Sequence, residues 1–521
     1  MSTQNDKKTS TVDLEITHEP SVSLEHGEPI DEKVVDAAVD DAYLFVMQHG
    51  VGVLTEEQNR KLRRKIDNIL MPLLIITYTL SFMDKQAMAY SANYGLDTDE
   101  HMNSSQYSWA SGSILYLSVL VCQFPIGRVI QVVPIGRFLS TTVIIWGMIL
   151  MCTAATRSFA ALAVVRALLG AAEAGIAPCL LIYTAQWYTR AEQPERTGYW
   201  FIANALGQIF GGLIGYGIGH IHSTLGVGNW IFYFIIFGAV TILWGIFLLF
   251  TLPDTPMGAR WLSLEERAMA IERVRENKTG IINHVWKWNQ FRECIIDPKT
   301  FLLFATLVCN AIPSGGVASF GNIVIKGFGF SALNTTLLQM PLGVIQAISI
   351  LISGALTSRF KNIRCHVMSL SQVPALIGAI LLVVLPESNK NGRLGAYYVI
   401  QTHTVSYVMA YSLITGNYAG FTKKSTVAAI VFIASSAGQV AGPQLFIGSE
   451  APKYPTAFAA AIACFVILIV LPYVIQGYLM WDNHRRDKKA ATEPEESEET
   501  QAEQGFMDLT DWQQKSFRYV Y

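Results

Sequence analysis

Residues Val165–Pro178 read V-R-A-L-L-G-A-A-E-A-G-I-A-P. They place two charges, Arg166 and Glu173, inside an otherwise apolar segment that runs from Phe159 to Tyr188. A charged side chain at the centre of a membrane-crossing helix costs at least about 2.5–3.5 kcal/mol on insertion scales, so each of these residues needs a polar surface to face. Positions 166 and 173 are nearly two helical turns apart. On a helix that sets the guanidinium and the carboxylate on one face, about 10.5 Å apart along the axis, with Gly170 on the same stripe. The helix is read as one wall of a polar interior within a lipid-facing protein.

The surrounding chain suits that setting. Of its 521 residues, 51% are hydrophobic and only 15% charged, with a formal net charge of −2 and a mean hydropathy of +0.33. This is the composition of a polytopic membrane protein. Charge gathers at the two ends and in one central segment, and no basic field points to nucleic acid. The cysteines Cys122, Cys152, Cys179, Cys294, Cys309, Cys365 and Cys464 lack metal-ligand spacing. They are expected to be small buried hydrophobes, and no disulfide framework, metal or cofactor is expected. Residues 1–41 hold eleven acidic residues and three lysines, too polar to offset the entropy of ordering, and are expected to be disordered. The start lacks the basic stretch and apolar run of a signal peptide, so the first apolar helix is expected to direct insertion.

Twelve spanning helices fit an all-α polytopic fold, near 66–94, 107–131, 138–156, 159–188, 198–220, 229–252, 300–326, 333–358, 364–386, 394–417, 425–448 and 456–480. The first is the least obvious. Its purely apolar run, Ile69–Met83, is too short for a hydrocarbon core of about 30 Å unless the helix continues through Asp84 and Lys85. Ahead of it, Thr55 and Gln58 fit a capping box that opens a short basic helix.

With the first residues on the cytoplasmic side, the inner segments carry Lys61, Arg63, Arg64, Lys65, Arg128, Arg137, Arg190, Arg196, Arg359, Lys361, Arg364, Lys423, Lys424, Arg485, Arg486, Lys488 and Lys489. The outer segments carry only Arg157, Lys326, Lys390, Arg393 and Lys453. That asymmetry favours both tails inside. Asn103-Ser-Ser and Asn334-Thr-Thr then become outer glycosylation sequons, whereas Asn277-Lys-Thr is internal and silent.

Between Leu252 and Thr300 lies a hydrophilic segment with L-P-D-T-P and W-L-S-L-E-E-R-A-M-A-I-E-R-V-R-E-N, in which Ser263 and Glu266 suit another capping box on a charged interfacial or cytosolic helix. It splits the spans six and six. The glycine-then-basic turns F-P-I-G-R-V-I-Q-V-V-P-I-G-R and I-S-G-A-L-T-S-R-F-K-N-I-R follow the second and eighth spans and suggest an internal repeat. The expected organisation is an acidic tail 1–54, a six-helix half 55–252, a central segment 253–299, a second half 300–481 and an acidic tail 482–521.

On these features the chain resembles the major facilitator superfamily over roughly residues 55–485. The family's loop signature G-x-x-x-D-R-x-G-R is degraded here: Gly127 has no following Asp-Arg, and Gly354 and Arg359 are kept with Ser358 in the acidic position. A weakened charge latch between helices is one consequence. A narrower resemblance is to the anion:cation symporter family, in its fungal branch of allantoate, nicotinate, pantothenate and biotin transporters. It rests on F-M-D-K at Phe82–Lys85 with Ala89–Tyr90, Q-Y-S-W at Gln106–Trp109, Arg166–Ala174 with Pro178, L-P-D-T-P at Leu252–Pro256 and N-Y-A-G-F-T-K-K-S at Asn417–Ser425. The resemblance implies uptake of a small organic anion together with protons.

Arg166 suits an anion because guanidinium stays protonated and offers a bidentate fork; the alternative is a structural ion pair with a neighbouring helix. Glu173 is a candidate proton carrier, or else an acid that holds the bundle together. Asp84 is a second proton candidate, and either pairs with another helix or lies at the outer water interface. Lys85, a candidate substrate-binding residue, points about 100° away from it on a helix, so the two are not natural partners. His403, with Tyr407 and Tyr411 at four-residue steps, makes a polar-aromatic stripe that lines a cavity or simply packs. Gln208, Gln339 and Asn417 are weaker candidates, and the glycines of G-Q-I-F-G-G-L-I-G-Y-G-I-G serve close packing.

The expected protein is a monomeric plasma-membrane transporter of a small organic anion with a proton, embedded in the lipid bilayer and working by alternating access. An exporter or facilitator of a secondary metabolite or drug, and a non-transporting nutrient sensor signalling through its tails, are the alternatives. No H-E-x-x-H or G-x-S-x-G motif supports an enzyme. Nicotinate-like, ureido, pantothenate-like and sulfonate substrates are all compatible with the motifs.

Overall fold

The computed structural model describes residues 55–189, 192–221, 228–275, 286–490 and 509–521. The acidic stretch 1–41, Arg190 and the Asn277 sequon lie outside the described residues. Among those described, eleven helices are long and apolar enough to cross a membrane: α1 (Glu56–Ala92), α2 (Ser104–Ile130), α3 (Ile135–Ala155), α4 (Phe159–Trp187), α5 (Glu195–Gly219), α6 (Asn229–Thr251), α7 (Pro298–Gly327), α8 (Ala332–Arg359), α9 (Arg364–Val384), α11 (Thr422–Gln444) and α12 (Pro455–Ala490). The tenth expected span, α10, is present as two helices, Lys390–Ile400 and Thr404–Asn417, joined by a 3-10 turn at Gln401–His403. Right-handed helical dihedrals run through the turn, so the rod continues across a local tightening.

Start signals act where their chemistry sits. Thr55 accepts from the Gln58 amide while the Gln58 side chain returns to the Thr55 amide, which opens α1. Ser263 and Glu266 do the same for the helix Leu264–Arg275. α1 carries straight through Asp84 and Lys85, both within its turns. Glycines set the packing distances. A Cβ at Gly147 or Gly238 would meet the facing backbone of α6 or α3 at 2.9–3.0 Å, and one at Gly212 or Gly343 would meet the facing backbone across α5 and α8 at 2.6 Å. The second pair joins the two six-helix halves.

The bundle has two distinguishable ends. The sequon end carries Asn103, which caps a short helix by accepting from the Gln106 amide at 2.8 Å, and Asn334; both are exposed. Here the halves are sealed by Tyr107 donating to the Ser319 carbonyl (2.9 Å), Ser113 to the Val440 carbonyl (2.8 Å) and Gln444 to Ser113 (2.9 Å). The other end carries the start of α1, the end of α12 and the central segment. That segment does not act as one unit. Leu264–Arg275 packs on the N-terminal half through Lys65–Glu266 at 2.6 Å and Arg273–Glu192, while Trp288–Ile296 packs on the C-terminal half through Glu293–Lys423 at 2.6 Å.

The degraded loop signature is partly made good at this end. Arg137 pairs with Asp254 of L-P-D-T-P at 3.0 Å and also donates its backbone amide to that carboxylate, tying the start of α3 to the end of α6. All seven cysteines are free, four of them buried.

Candidate functional site

α4 is not one uninterrupted helix. It runs Phe159–Glu173, turns at Ala174 and Gly175, and resumes as Ile176–Trp187. Pro178 accounts for the interruption: it has no amide to donate to the Ala174 carbonyl, and its ring crowds that same group. Glu173 therefore ends the first segment, beside the break.

Arg166 is completely buried. Its Nε donates to the Ala110 carbonyl at 3.0 Å and its Nη2 to the Ser111 carbonyl at 3.1 Å. Both carbonyls belong to a π-helical stretch of α2, Trp109–Ser113. A π turn widens the ladder and leaves carbonyls available to an outside donor, and the guanidinium takes two of them. Gly170 permits the approach, since a Cβ there would collide with the Leu115 carbonyl oxygen of α2. The stripe read from the sequence thus has two targets: Arg166 and Gly170 face the α2 backbone, and Glu173 faces the cavity.

That cavity, of ≈ 200 Å³, lies between the halves. Its N-terminal wall includes Tyr78, Lys85, Tyr116, Glu173 and Asn204, and its C-terminal wall Asn310, Gln346, Tyr407, Ser435 and Gln439. Lys85 is the cation on it. The ammonium faces Glu173 Oε2 at 3.2 Å, an ion pair whose angles fall short of a hydrogen bond, and also donates to Ser81 at 3.2 Å. Lys85 keeps 26% of its side chain exposed, against 2% for Glu173. Asp84 points the other way, as adjacent helical positions require. It is buried and accepts from Trp146 Nε1 of α3 at 2.5 Å, so it pairs with another helix and is not at a water interface.

The Asp84 and Glu173 carboxyls are electrostatic neighbours, and Arg166 acts on both. Asp84, Lys85, Arg166 and Glu173 form one buried cluster that sums to zero when all four are ionised. In such a setting any unbalanced charge is costly.

The remaining candidates separate. Tyr407 lines the cavity; its hydroxyl meets Tyr411 at 3.2 Å and receives Ser435 at 3.4 Å. Arg166, expected to receive the substrate, is off the lining of this cavity, with its guanidinium on the α2 carbonyls. His403 also lies off the lining. Its Nδ1 meets the Ile400 carbonyl at 2.8 Å and its own carbonyl accepts from Asn310 (2.9 Å) and Gln372 (3.3 Å), which satisfies the break in α10. Gln208 belongs to the seal between the halves: it donates to Gln339 of α8 at 3.1 Å and accepts from Gln86 at 3.4 Å. Asn417 contacts the C-terminal residues and not the cavity.

Sequence reasoning missed Tyr78, Tyr116, Asn204, Asn310, Gln346 and Gln439. Buried amides on apolar helices were a usable signal for Asn310 and Gln346. Gln346 Oε1 and Gln439 Oε1 are buried acceptors without a hydrogen-bond partner among the described residues.

The Major Facilitator Superfamily model matches residues 74–443. The uncharacterized transporter C757.13 of Schizosaccharomyces pombe is 37% identical over 89% of this chain and 88% of its own. Allantoate permease of Saccharomyces cerevisiae is 33% identical over the whole of this chain and 99% of its own. Among solved structures, a bacterial homologue of the human lysosomal transporter Spinster, inward-facing and unoccupied, superposes with a TM-score of 0.59 at 17% identity, covering 78% of this chain and 95% of that one. With a membrane-crossing bundle in two halves, a cavity between them that carries an ion pair and relatives that are transporters and not enzymes, the chain belongs to the Major Facilitator Superfamily and is a membrane transporter.

Proposed function

We propose that the chain imports a small organic anion together with a proton by alternating access, with both tails in the cytoplasm and the bundle in the plasma membrane. The observation that carries this reading is the Lys85–Glu173 pair on the cavity wall. An incoming carboxylate competes with Glu173 for the ammonium. Once displaced, Glu173 is an unpaired acid in a low-dielectric site beside Asp84, and taking up a proton removes the penalty. Anion and proton then enter as a neutral set, and release of the anion on the far side lets Lys85 recapture Glu173 and expel the proton. Arg166 holds α2 against α4 and biases the acid pair. Tyr78, Phe201 and Tyr407 supply rings for a planar body, and the amides of the C-terminal half supply hydrogen bonds.

Sidedness is supported by the lysine and arginine distribution, which favours the tail-bearing end as cytoplasmic. The relative named allantoate permease makes ureido acids the first members of a substrate panel, beside nicotinate-like, pantothenate-like and sulfonate anions.

The test is uptake of this panel into proteoliposomes under an imposed pH gradient. Accumulation driven by an inward proton gradient is expected, as is its loss in Lys85→Ala, while Glu173→Gln retains anion exchange but loses the response to the gradient. Unchanged uptake in Lys85→Ala overturns the anion site, and depletion under the same gradient marks an exporter instead.

A further inference from the structure

Two motifs play no part in transport as described above: N-Y-A-G-F-T-K-K-S at Asn417–Ser425, and D-L-T-D-W-Q-Q-K at residues 508–515. The fold brings them together. At the tail-bearing end of the C-terminal half, Asp511 is fully buried; Oδ2 accepts from Lys299 at 2.6 Å and from Tyr519 at 2.7 Å, and Oδ1 from Lys423 at 2.8 Å. Lys299 and Lys423 stand in the first turns of α7 and α11 with side chains 2% and 0% exposed. Beside them Thr510 donates to Glu293 at 2.9 Å.

Further along, the backbone itself is recognised. Asn483 of α12 donates to the Tyr519 carbonyl and accepts its amide, both at 2.9 Å; Asn417 at the end of α10 does the same for Val520 at 2.7 and 2.8 Å. A carboxamide that bonds both groups of one residue reads a peptide as a neighbouring strand would. Arg486 donates to the carbonyls of Asp511 (2.8 Å) and Gln514 (3.1 Å) and to the Tyr519 hydroxyl (2.8 Å). Gly420, at φ +85°, makes the turn that brings these groups around, and a Cβ there would meet Thr510 at 3.0 Å. A cavity of ≈ 510 Å³ flanks the last residues, Arg518–Tyr521, so this end of the segment borders an open groove.

We infer that the ends of α7, α10, α11 and α12, with that of α9 through its Arg364 amide on the Tyr521 carbonyl (3.3 Å), form a peptide-binding site whose ligand is the chain's own segment Leu509–Tyr521, and that its occupancy clamps this half into one body. The residues match ligand to site at every level: a carboxylate between two buried ammonium groups, two backbone residues read by two asparagines, and an aromatic pair, with Trp512 4.7 Å from the Lys423 ammonium and Tyr519 4.0 Å from that of Lys299.

The test keeps the full chain. A specific protease site is placed within the acidic stretch 491–508, the intact protein is purified in detergent and cleaved, and retention of the 509–521 fragment is followed by gel filtration and mass spectrometry. The fragment is expected to co-elute with the bundle and to exchange with a labelled 509–521 peptide. The Asp511→Ala peptide is expected to bind at least tenfold more weakly and the Thr510-phosphorylated peptide not at all, since its dianion would face Glu293. The Ser516→Ala peptide, altered at an exposed position, is expected to bind like the native one. Washing the fragment out is expected to lower the melting temperature and adding peptide to restore it in proportion to occupancy. A fragment lost at once, equal binding of the Asp511→Ala peptide, or a melting temperature indifferent to the fragment each overturns the inference.

Discussion

In the N-terminal half, the ends of α1, α4 and α5 are tied to the helix Leu264–Arg275 and to each other by Lys65–Glu266, Arg63–Glu192, Arg273–Glu192 and Arg196–Asp67. In the C-terminal half, the corresponding ends are tied to Trp288–Ile296 and to residues 509–521 by Lys299 and Lys423 with Glu293, Asp297 and Asp511. The N-terminal half is thus capped by the helix that follows it in the chain, and the C-terminal half by the helix that precedes it together with residues 509–521, which follow it. The caps differ in how wet they are. In the first cap Arg273 and Arg196 are buried but Lys65 and Arg63 are 42% and 37% exposed, whereas in the second Lys423, Asp297 and Asp511 are all at 0%. Exposed pairs are screened and individually weak, while a dry cluster tolerates no missing partner. One cap is many small ties; the other is a single cooperative unit.

The strongest way to break that contrast is Lys423→Met. It removes a cation that holds three carboxylates and leaves Lys299 to balance them, a loss expected to cost about 3–5 kcal/mol. The checks are the melting temperature in detergent and protease sensitivity of the C-terminal residues, both of which should change together. Acid probes the same cluster. Burial pushes the Asp511 carboxyl up, but Lys299 and Lys423 outweigh it and hold it below the usual carboxylate range. Because the folded value is depressed, the stabilisation is complete above the unfolded value of about 4 and is lost as pH falls through the lower folded one. Lys299 and Lys423 are the cations on Asp511, Arg486 holds the neighbouring carbonyls and the Tyr519 hydroxyl, and Glu293 and Asp297 face the same lysines. Protection of residues 509–521 against protease is therefore expected to be flat from pH 8 to 5 and to fail only in stronger acid; release on mild acidification would contradict the dry-cluster account.

Arg273→Ala is the matching cut in the other half and sharpens the comparison. Arg273 is buried and pairs with Glu192, whose carboxyl, despite burial, is held below its ordinary range chiefly by this guanidinium. Arg63 also reaches Glu192 at 3.4 Å and remains after the substitution. The expected loss is about 2 kcal/mol, the worth of a hydrogen bond to a charged group, with residues 509–521 still docked. A melting-temperature drop as large as that of Lys423→Met would erase the difference between the caps.

What was legible in the chain follows from the range of each interaction. The capping boxes at Thr55–Gln58 and Ser263–Glu266 are codes three residues long, and they form as read. Spans and halves follow from apolar length and the hydrophilic centre, and α10 escapes as a single helix because its break is compensated from elsewhere, by Asn310 and Gln372 on the His403 carbonyl. The charge stripe of α4 pointed to a polar partner, but not to carbonyls released by a π turn in α2, which no local motif announces. Cavity residues such as Gln346 and Gln439 depend on helix rotations set by packing. The docked C-terminus was the least legible: Asp511 meets Lys299 across 212 positions of sequence, and the acidic composition around it reads as a solvated tail.

The smallest expected effect tests the wet cap at its most exposed tie. Lys65 donates to both oxygens of Glu266 at 2.8 and 2.6 Å, yet the two side chains stay 42% and 26% exposed, so water competes for both charges. Glu266 is also occupied by the Ser263 amide, and with Lys65 these bonds, against the opposing effect of burial, keep its carboxyl below the ordinary range. Lys65→Ala removes one tie and leaves the capping box, which alone is enough to start the helix. The expected change is about 0.2–1 kcal/mol, near the resolution of a thermal melt at low salt and vanishing at high salt. Raising the salt should therefore make Lys65→Ala and the unaltered protein converge while leaving Lys423→Met as far below them as before, because ions that screen the first pair do not reach the second.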